Sequence, residues 1–210
     1  MDYATFSLET AAFESGLSFV AGMDEVGRGC IAGPVVAAIA VFSQEHQFIA
    51  GVRDSKMISP GKRATLCEQI LSVVDDYGVG EVNAEDIDEI GIASATVRAM
   101  RKAYESLSQR PDVVFVDGKW ITTPSIRRIR IAGGDRKHYS ISAASIIAKV
   151  YRDRLMHAYA RGFPGYGFER HVGYGTRDHL DAVARFGVTA LHRKSFSPIS
   201  RMSNYRRYVR

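Results

Sequence analysis

Cysteine is nearly missing from this sequence: Cys30 and Cys67 are the only two. Two thiols make neither a disulfide framework nor a metal-type cluster, so a stapled secreted scaffold and a zinc ribbon are both excluded. A reducing cytoplasm is the expected compartment. Long hydrophobic runs are missing as well. None approaches the roughly 20 residues that cross a bilayer, and no membrane partner is expected. The opening MDYATFSLETAAFE holds acids but no basic residue, which does not read as a secretory signal. Internal repeats, low-complexity tracts and linkers are also lacking, so the chain reads as one domain.

The 46% hydrophobic and 24% charged residues suffice for an ordinary core. Charge is unevenly spread. Residues 161–210 hold ten Lys/Arg against three acids, a surplus of seven, whereas the first 160 residues carry a net charge of −2. That basic end also contains Tyr166, Tyr174, Tyr205 and Tyr208. It suits a phosphate backbone with bases or sugars to pack on, although a solvated basic tail would look the same. The stretch 201–210 reads as a basic tail, open to disorder.

Periodicity places strands at 18–24 and 35–42, the second (VVAAIAVF) apolar throughout and therefore central. A helix spans 59–74, with Ser59 as N-cap and Pro60 at the first helical position. DYGVGEVNA reads as a strand, 83–107 as a helix interrupted near Gly91, PDVVFVDGK and IRRIRIAGG as further strands. A long helix covers about 139–160, with Ile141, Ala144, Ala148, Tyr151, Leu155 and Ala158 on one stripe. A short helix follows at 176–185. This order predicts a mixed α/β sheet with helices packed against it.

Four acids break the pattern. Asp24 and Glu25 end an apolar strand before the glycine-rich Gly27-Arg28-Gly29, where burial and mutual repulsion make two charges costly. Asp117 ends VVFV, and in open α/β sheets the carboxyl ends of strands face the ligand crevice. Asp153 sits on the long helix, about 120° from its apolar stripe. Divalent cations could offset such a cluster, and Mg²⁺ favours hard oxygen ligands. Plainer readings compete: Asp117-Gly118 is a common turn pair, and Lys149 four residues before Asp153 suits a helix ion pair.

MDEVGRGCIAGPVVAA, DSKMISPGKR, VFVDGK, GGDRKHYSISAASIIAKVYRDRLM, GYGFERHVGYGTRDHL and LHRKSF together resemble the bacterial type 2 ribonucleases H, the ribonuclease HII family. The resemblance runs in order from about residue 18 to about 198. It implies an RNase H-like fold, a central mixed β-sheet flanked by helices with a C-terminal helical extension, forming one catalytic domain over 1–200. It implies an endonuclease that cuts 5′ to ribonucleotides, in RNA–DNA hybrids and at single ribonucleotides embedded in duplex DNA. The products carry a 3′-hydroxyl and a 5′-phosphate. The family's metal-binding, catalytic acids match Asp24, Glu25, Asp117 and Asp153, and two Mg²⁺ or Mn²⁺ ions are the implied cofactors.

For the substrate, the family's 2′-hydroxyl-reading motif matches Gly27, Arg28 and Gly29, and its junction-sensing tyrosine matches Tyr174. Lys56 matches a phosphate-binding position. Read without the family, the glycine loop is only a tight connection and the tyrosine a core residue. Lys149 either binds phosphate or pairs with Asp153. The expected partner is nucleic acid, and the expected state a monomer. No sliding-clamp box of the Gln-x-x-hydrophobic-x-x-aromatic type is seen. The sister ribonuclease HIII carries an N-terminal substrate domain and lacks the arginine of Gly-Arg-Gly. With about twenty residues before the first strand here, that reading is disfavoured, as are a resolvase, an integrase or an inactive binding module.

Overall fold

The structure is a computed structural model that describes residues 4–117 and 127–205. A short helix α1 (Ser7–Glu14) leads into β1 (Phe19–Val26) and β2 (Val35–Ser43), which pair antiparallel. Then come α2 (Pro60–Leu71), β3 (Asp76–Val82), α3 (Ala84–Glu105), β4 (Val113–Asp117) and β5 (Arg128–Ile131). The long α4 (Tyr139–Gly162) precedes α5 (Phe168–His171), α6 (Arg177–Phe186) and α7 (Ile199–Tyr205). The sheet runs β3-β2-β1-β4-β5, with β2 antiparallel to both neighbours and β1, β4 and β5 mutually parallel. The mixed α/β sheet expected from the strand–helix order is what forms.

β2 is buried along its first eight residues, as a strand without alternation must be. One face of the sheet packs Val20, Val36, Phe42, Val113 and Phe115 against α4 residues such as Ile141 and Ala144. The other face packs Met23, Ile39 and Val114 against α3 through Ala95, Ala99 and Ala103. A third core, with Ile31, Met156, Phe168 and Val183, joins the β1–β2 loop to the C-terminal helices. Strand alternation therefore decides which helix each site residue meets.

Several expectations hold in detail. α3 is broken at Gly91, where φ is +78°. Pro60 opens α2 after Ser59, but the serine hydroxyl makes no capping bond. The stripe expected on α4 holds through Ala148 and again at Leu155, which packs against the same core, but not at Tyr151 or Ala158. Those two are exposed, and Arg152 and Met156 are buried instead. At that point the helix leaves the sheet and meets loop backbone, which needs hydrogen-bond donors rather than methyl groups. α1, α5 and α7 carry periodicity too short to be read from sequence. Of the basic stretch 201–210, residues 201–205 belong to α7, and 206–210 lie outside the described residues.

Candidate active site

β1 and β4 run parallel, in a register that pairs Met23 with Val116. One step further along each strand, Asp24 and Asp117 emerge side by side at the carboxyl ends. Alternation turns both toward α4, where the Ser145 hydroxyl donates to Asp24. Asp24 is 7% exposed. Burial pushes its carboxyl well above the usual range, and the charges of Glu25 and then Asp117 push it further. Glu25 is also raised by burial, against the pull of Arg28, whose Nη1 lies 3.1 Å from Oε1. Asp117 Oδ1 accepts the backbone N–H groups of Gly133 and Gly134 at 2.9 and 3.2 Å. The β5–α4 turn thus fixes its orientation.

The same turn adds Asp135, a residue the sequence reading missed. Its carboxyl is raised by burial, then by Asp117 and Asp54. Lys56 Nζ stands 3.5 Å from Asp135, with its side chain 70% exposed. Burial opposes its charge, but Asp135, Asp54 and Asp24 outweigh that and raise its pKa. Lys56 therefore lies on the rim of the acid group, with an ammonium open to solvent. Asp54 caps the Lys56 turn by accepting its N–H at 2.9 Å.

Asp153 is placed differently. It lies eight residues beyond Ser145 on α4, about 12 Å along the helix axis. Its two oxygens are taken by Lys149 at 2.7 Å and Arg63 at 3.2 Å. Of the two readings of Lys149, the ion pair is the one formed. Arg63 is buried and donates to the carbonyls of Ser55 and Ile58 at 2.8 and 2.7 Å. It ties Asp153 to the loop that carries Lys56.

Beyond the acids, the loop 27–34 forms the opposite side. Gly27 has φ +87°, and a Cβ there would lie 2.3 Å from Arg152 Nε, so only glycine fits. Gly29 is different: its φ is ordinary and a Cβ would meet nothing within 4 Å. Tyr174 is 42% exposed, which removes the core reading. Its loop is docked on this one, with Gly173 O accepting from Ile31 N at 2.9 Å. A Cβ on Gly173 would sit 2.3 Å from Ala32 O.

Two buried arginines staple these loops. Arg152 donates to Pro34 O (2.9 Å), Val172 O (2.7 Å) and Ala32 O (3.1 Å). Arg193 donates to Gly33 O through Nε and Nη2 (3.0 and 2.9 Å) and to Arg28 O through Nη1 (2.9 Å). Both side chains are wholly buried, and no carboxylate is in contact with either among the described residues. Burial, rather than any ion pair, lowers Arg193 to about 10, so it stays charged at neutral pH. Sequence reasoning missed both. Arg152 had left a signal, since it continues the Ala144–Ala148 line by one more turn.

Histidines support the Tyr174 loop. Thr189 N–H donates to His192 Nδ1 (3.0 Å), and the facing Nε2 atoms of His192 and His179 are 3.1 Å apart. His179 Nδ1 donates to Tyr174 O at 2.8 Å. This chain assigns both rings as neutral, with His192 Nε2–H donating to His179 Nε2. Burial is the main cause that lowers both to about 4.

The structure therefore brings Asp24, Glu25, Asp117 and Lys56 together, sets Gly27, Arg28, Gly29 and Tyr174 beside them, and holds Asp153 through Arg63 and Lys149. Among the described residues, no three Asp, Glu, His or Cys side chains form a ready cage for a metal ion. The donor chemistry nonetheless fits hard divalent cations. Five carboxylates (Asp24, Glu25, Asp54, Asp117, Asp135) face three cations (Arg28, Lys56, Arg136), and the ligand atoms on offer are all oxygen. No described helix is long and apolar enough to cross a membrane.

Comparison with known proteins agrees with this geometry. The ribonuclease HII family model matches residues 21–199. A ribonuclease HII of Clostridioides difficile (strain 630) is 47% identical over 188 residues, covering 90% of this chain and 73% of that protein. The crystal structure of ribonuclease H2 from Pyrococcus horikoshii OT3 superposes with a TM-score of 0.77 at 27% identity, covering 91% of this chain and all of that one. Bst-RNase HIII, solved in complex with Mn²⁺, shares the fold at 21% identity and a TM-score of 0.70, covering 93% and 72%. The chain belongs to the ribonuclease HII family, RNase H-type endoribonucleases that act on RNA–DNA.

Proposed function

We propose that this enzyme hydrolyses the phosphodiester bond 5′ to a ribonucleotide, in RNA–DNA hybrids and at single ribonucleotides embedded in duplex DNA, leaving a 3′-hydroxyl and a 5′-phosphate. Residues 1–200 act as one catalytic domain, as a monomer in the reducing cytoplasm, where Cys30 and Cys67 stay free and buried. The observation that carries the reading is the 3.1 Å ion pair between Glu25 and Arg28. It joins the acid group and the Gly-Arg-Gly loop within a single turn of chain, so one bound sugar–phosphate unit can touch both.

Asp24, Glu25 and Asp117, with Asp135 of the same acid group, would hold two Mg²⁺ or Mn²⁺ ions, whereas Asp153, expected from sequence as a fourth ligand, stands apart on α4 in ion pairs with Lys149 and Arg63. When bound, the ions supply an activated water and offset charge on the leaving oxygen. The chain's own residues do the rest. Asp117, fixed by the Gly133 and Gly134 N–H groups, keeps one ligand oxygen directed. Lys56 offers its exposed ammonium to backbone phosphate, and Tyr174 offers its ring to the sugar that follows the ribonucleotide. Gly27, Arg28 and Gly29 let backbone approach the 2′-hydroxyl, the group that separates RNA from DNA.

The test is a duplex with one embedded ribonucleotide beside the same sequence in DNA alone, each incubated with Mg²⁺ or Mn²⁺. A single nick on the 5′ side of the ribonucleotide, with the DNA duplex left intact, is expected. Equal cutting of both would overturn the proposal.

A further inference from the structure

We propose that Arg193 is a positioning residue for ribonucleotide discrimination: it turns the Arg28–Gly29 peptide so that the Gly29 N–H faces the substrate. The inference rests on the function proposed above and adds a residue outside the acid group and outside the Gly-Arg-Gly loop.

Peptide geometry carries the first step. The peptide bonds of this loop are trans, the sole described cis bond being Ser197–Pro198. In a trans peptide the C=O and the following N–H point in opposite directions. Arg193 Nη1 holds Arg28 O at 2.9 Å, inside the protein. The N–H of Gly29, on the same peptide plane, is therefore directed away from Arg193. It meets no acceptor among the described residues. Gly29 is exposed, and a Cβ built on it would touch nothing within 4 Å. Arg28 Nε is likewise without a partner among the described residues.

The design of the clamp carries the second step. A wholly buried guanidinium without a carboxylate is costly, and connecting two loops does not by itself require it. Its planar fork fixes two carbonyls at once: Gly33 O is gripped by Nε and Nη2, and Arg28 O by Nη1. Gly33 N in turn donates to Leu191 O at 2.8 Å, and Arg193 N donates to Ile31 O at 2.9 Å. The peptide at Arg28 is thus aligned on the same segment that carries His192, which supports the Tyr174 loop. Arg152 makes similar bonds, but it adjoins Asp153, so a change there would disturb both sides of the site. Arg193 separates the effects.

The experiment compares wild type, Arg193→Met and Arg193→Lys in the full chain. Nicking gives kcat and KM, with the unfolding midpoint recorded in parallel. Affinity is measured for the one-ribonucleotide duplex and for its all-DNA counterpart, with Ca²⁺ in place of Mg²⁺. Loss of one oriented hydrogen bond should lower the ribonucleotide-to-DNA affinity ratio of Arg193→Met about tenfold. Affinity for plain DNA should change by less than about twofold. Arg193→Lys, which keeps the charge but not the fork, should fall between. Folded variants that keep the wild-type ratio overturn the role of Arg193. If neither variant folds, the amide signal of Gly29 in wild type decides. It should shift with the ribonucleotide duplex more than with DNA, and an equal response to both overturns the inference. A wild type that fails to nick the ribonucleotide duplex overturns the underlying function instead.

Discussion

Charge is buried on both sides of this site, and the two sides treat it in opposite ways. The acid side gathers the carboxylates of Asp24, Glu25 and Asp117, and burial and neighbouring charge raise those of Asp24 and Glu25. On the loop side, Arg152 and Arg193 are buried more deeply still, yet their donors are satisfied by backbone carbonyls. One side is complete without a ligand, and on the proposed function the other would draw its counter-charge from bound cations. The proposed reaction, reading one sugar and cutting beside it, would use both: a rigid gauge and a place for exchangeable charge.

The comparison breaks hardest at the acids. Asp24→Asn or Asp117→Asn should slow single-turnover nicking by about 10³-fold or more, with several kcal/mol of transition-state stabilisation removed. Binding of the ribonucleotide duplex should persist, and thermal stability should hold or rise because a buried charge is gone. Retained nicking would remove these residues from the metal site.

On the loop side the largest effects should be on stability. Arg152→Met leaves the carbonyls of Ala32, Pro34 and Val172 without their donor, at a cost of about 3 kcal/mol in denaturant unfolding. An unchanged unfolding midpoint would mean that water replaces the guanidinium.

Acid should loosen the same side. His179 and His192 are lowered to about 4 from an ordinary 6.5, so the unfolded chain binds more protons than the folded one between those values. Stability is therefore independent of these rings above pH 6.5 and is lost as pH falls from 6.5 toward 4, by roughly 3 kcal/mol for each ring. Unfolding free energies at pH 7 and 5 test this, and a replacement of both rings by Gln should flatten the slope.

The smallest effect sharpens the contrast most. Gly29→Ala has room and an ordinary φ, so it should change stability by less than about 0.5 kcal/mol. Gly27→Ala, strained at φ +87° against Arg152, should cost about 2 kcal/mol or more. Equal unfolding midpoints for the two would contradict the account of the loop.

Much of this was legible in the sequence because it follows from local rules. The apolar run of β2, the Pro60 start of α2, the Gly91 break and the acids at the strand ends all declare themselves by pattern. The resemblance to ribonuclease HII then placed the candidate residues in order. Long-range hydrogen bonding was not legible. Arg193 and Arg28 are 165 residues apart in sequence, and no periodicity relates a buried arginine to a carbonyl at that distance. Asp135 was missed because a turn after β5, not a helix or strand pattern, brings it to Asp117. The stripe on α4 failed at Tyr151 and Ala158, though not at Leu155, because much of its surroundings there is loop backbone rather than sheet.

The central claim is that the acid side takes its counter-charge from divalent cations. Mn²⁺ binding, followed by electron paramagnetic resonance in the presence of the uncut all-DNA duplex, tests it most directly. Wild type should bind Mn²⁺ and Asp24→Asn should lose most of that binding, while Arg193→Met binds as wild type does. Equal Mn²⁺ binding by wild type and Asp24→Asn, or none by either, would contradict the account.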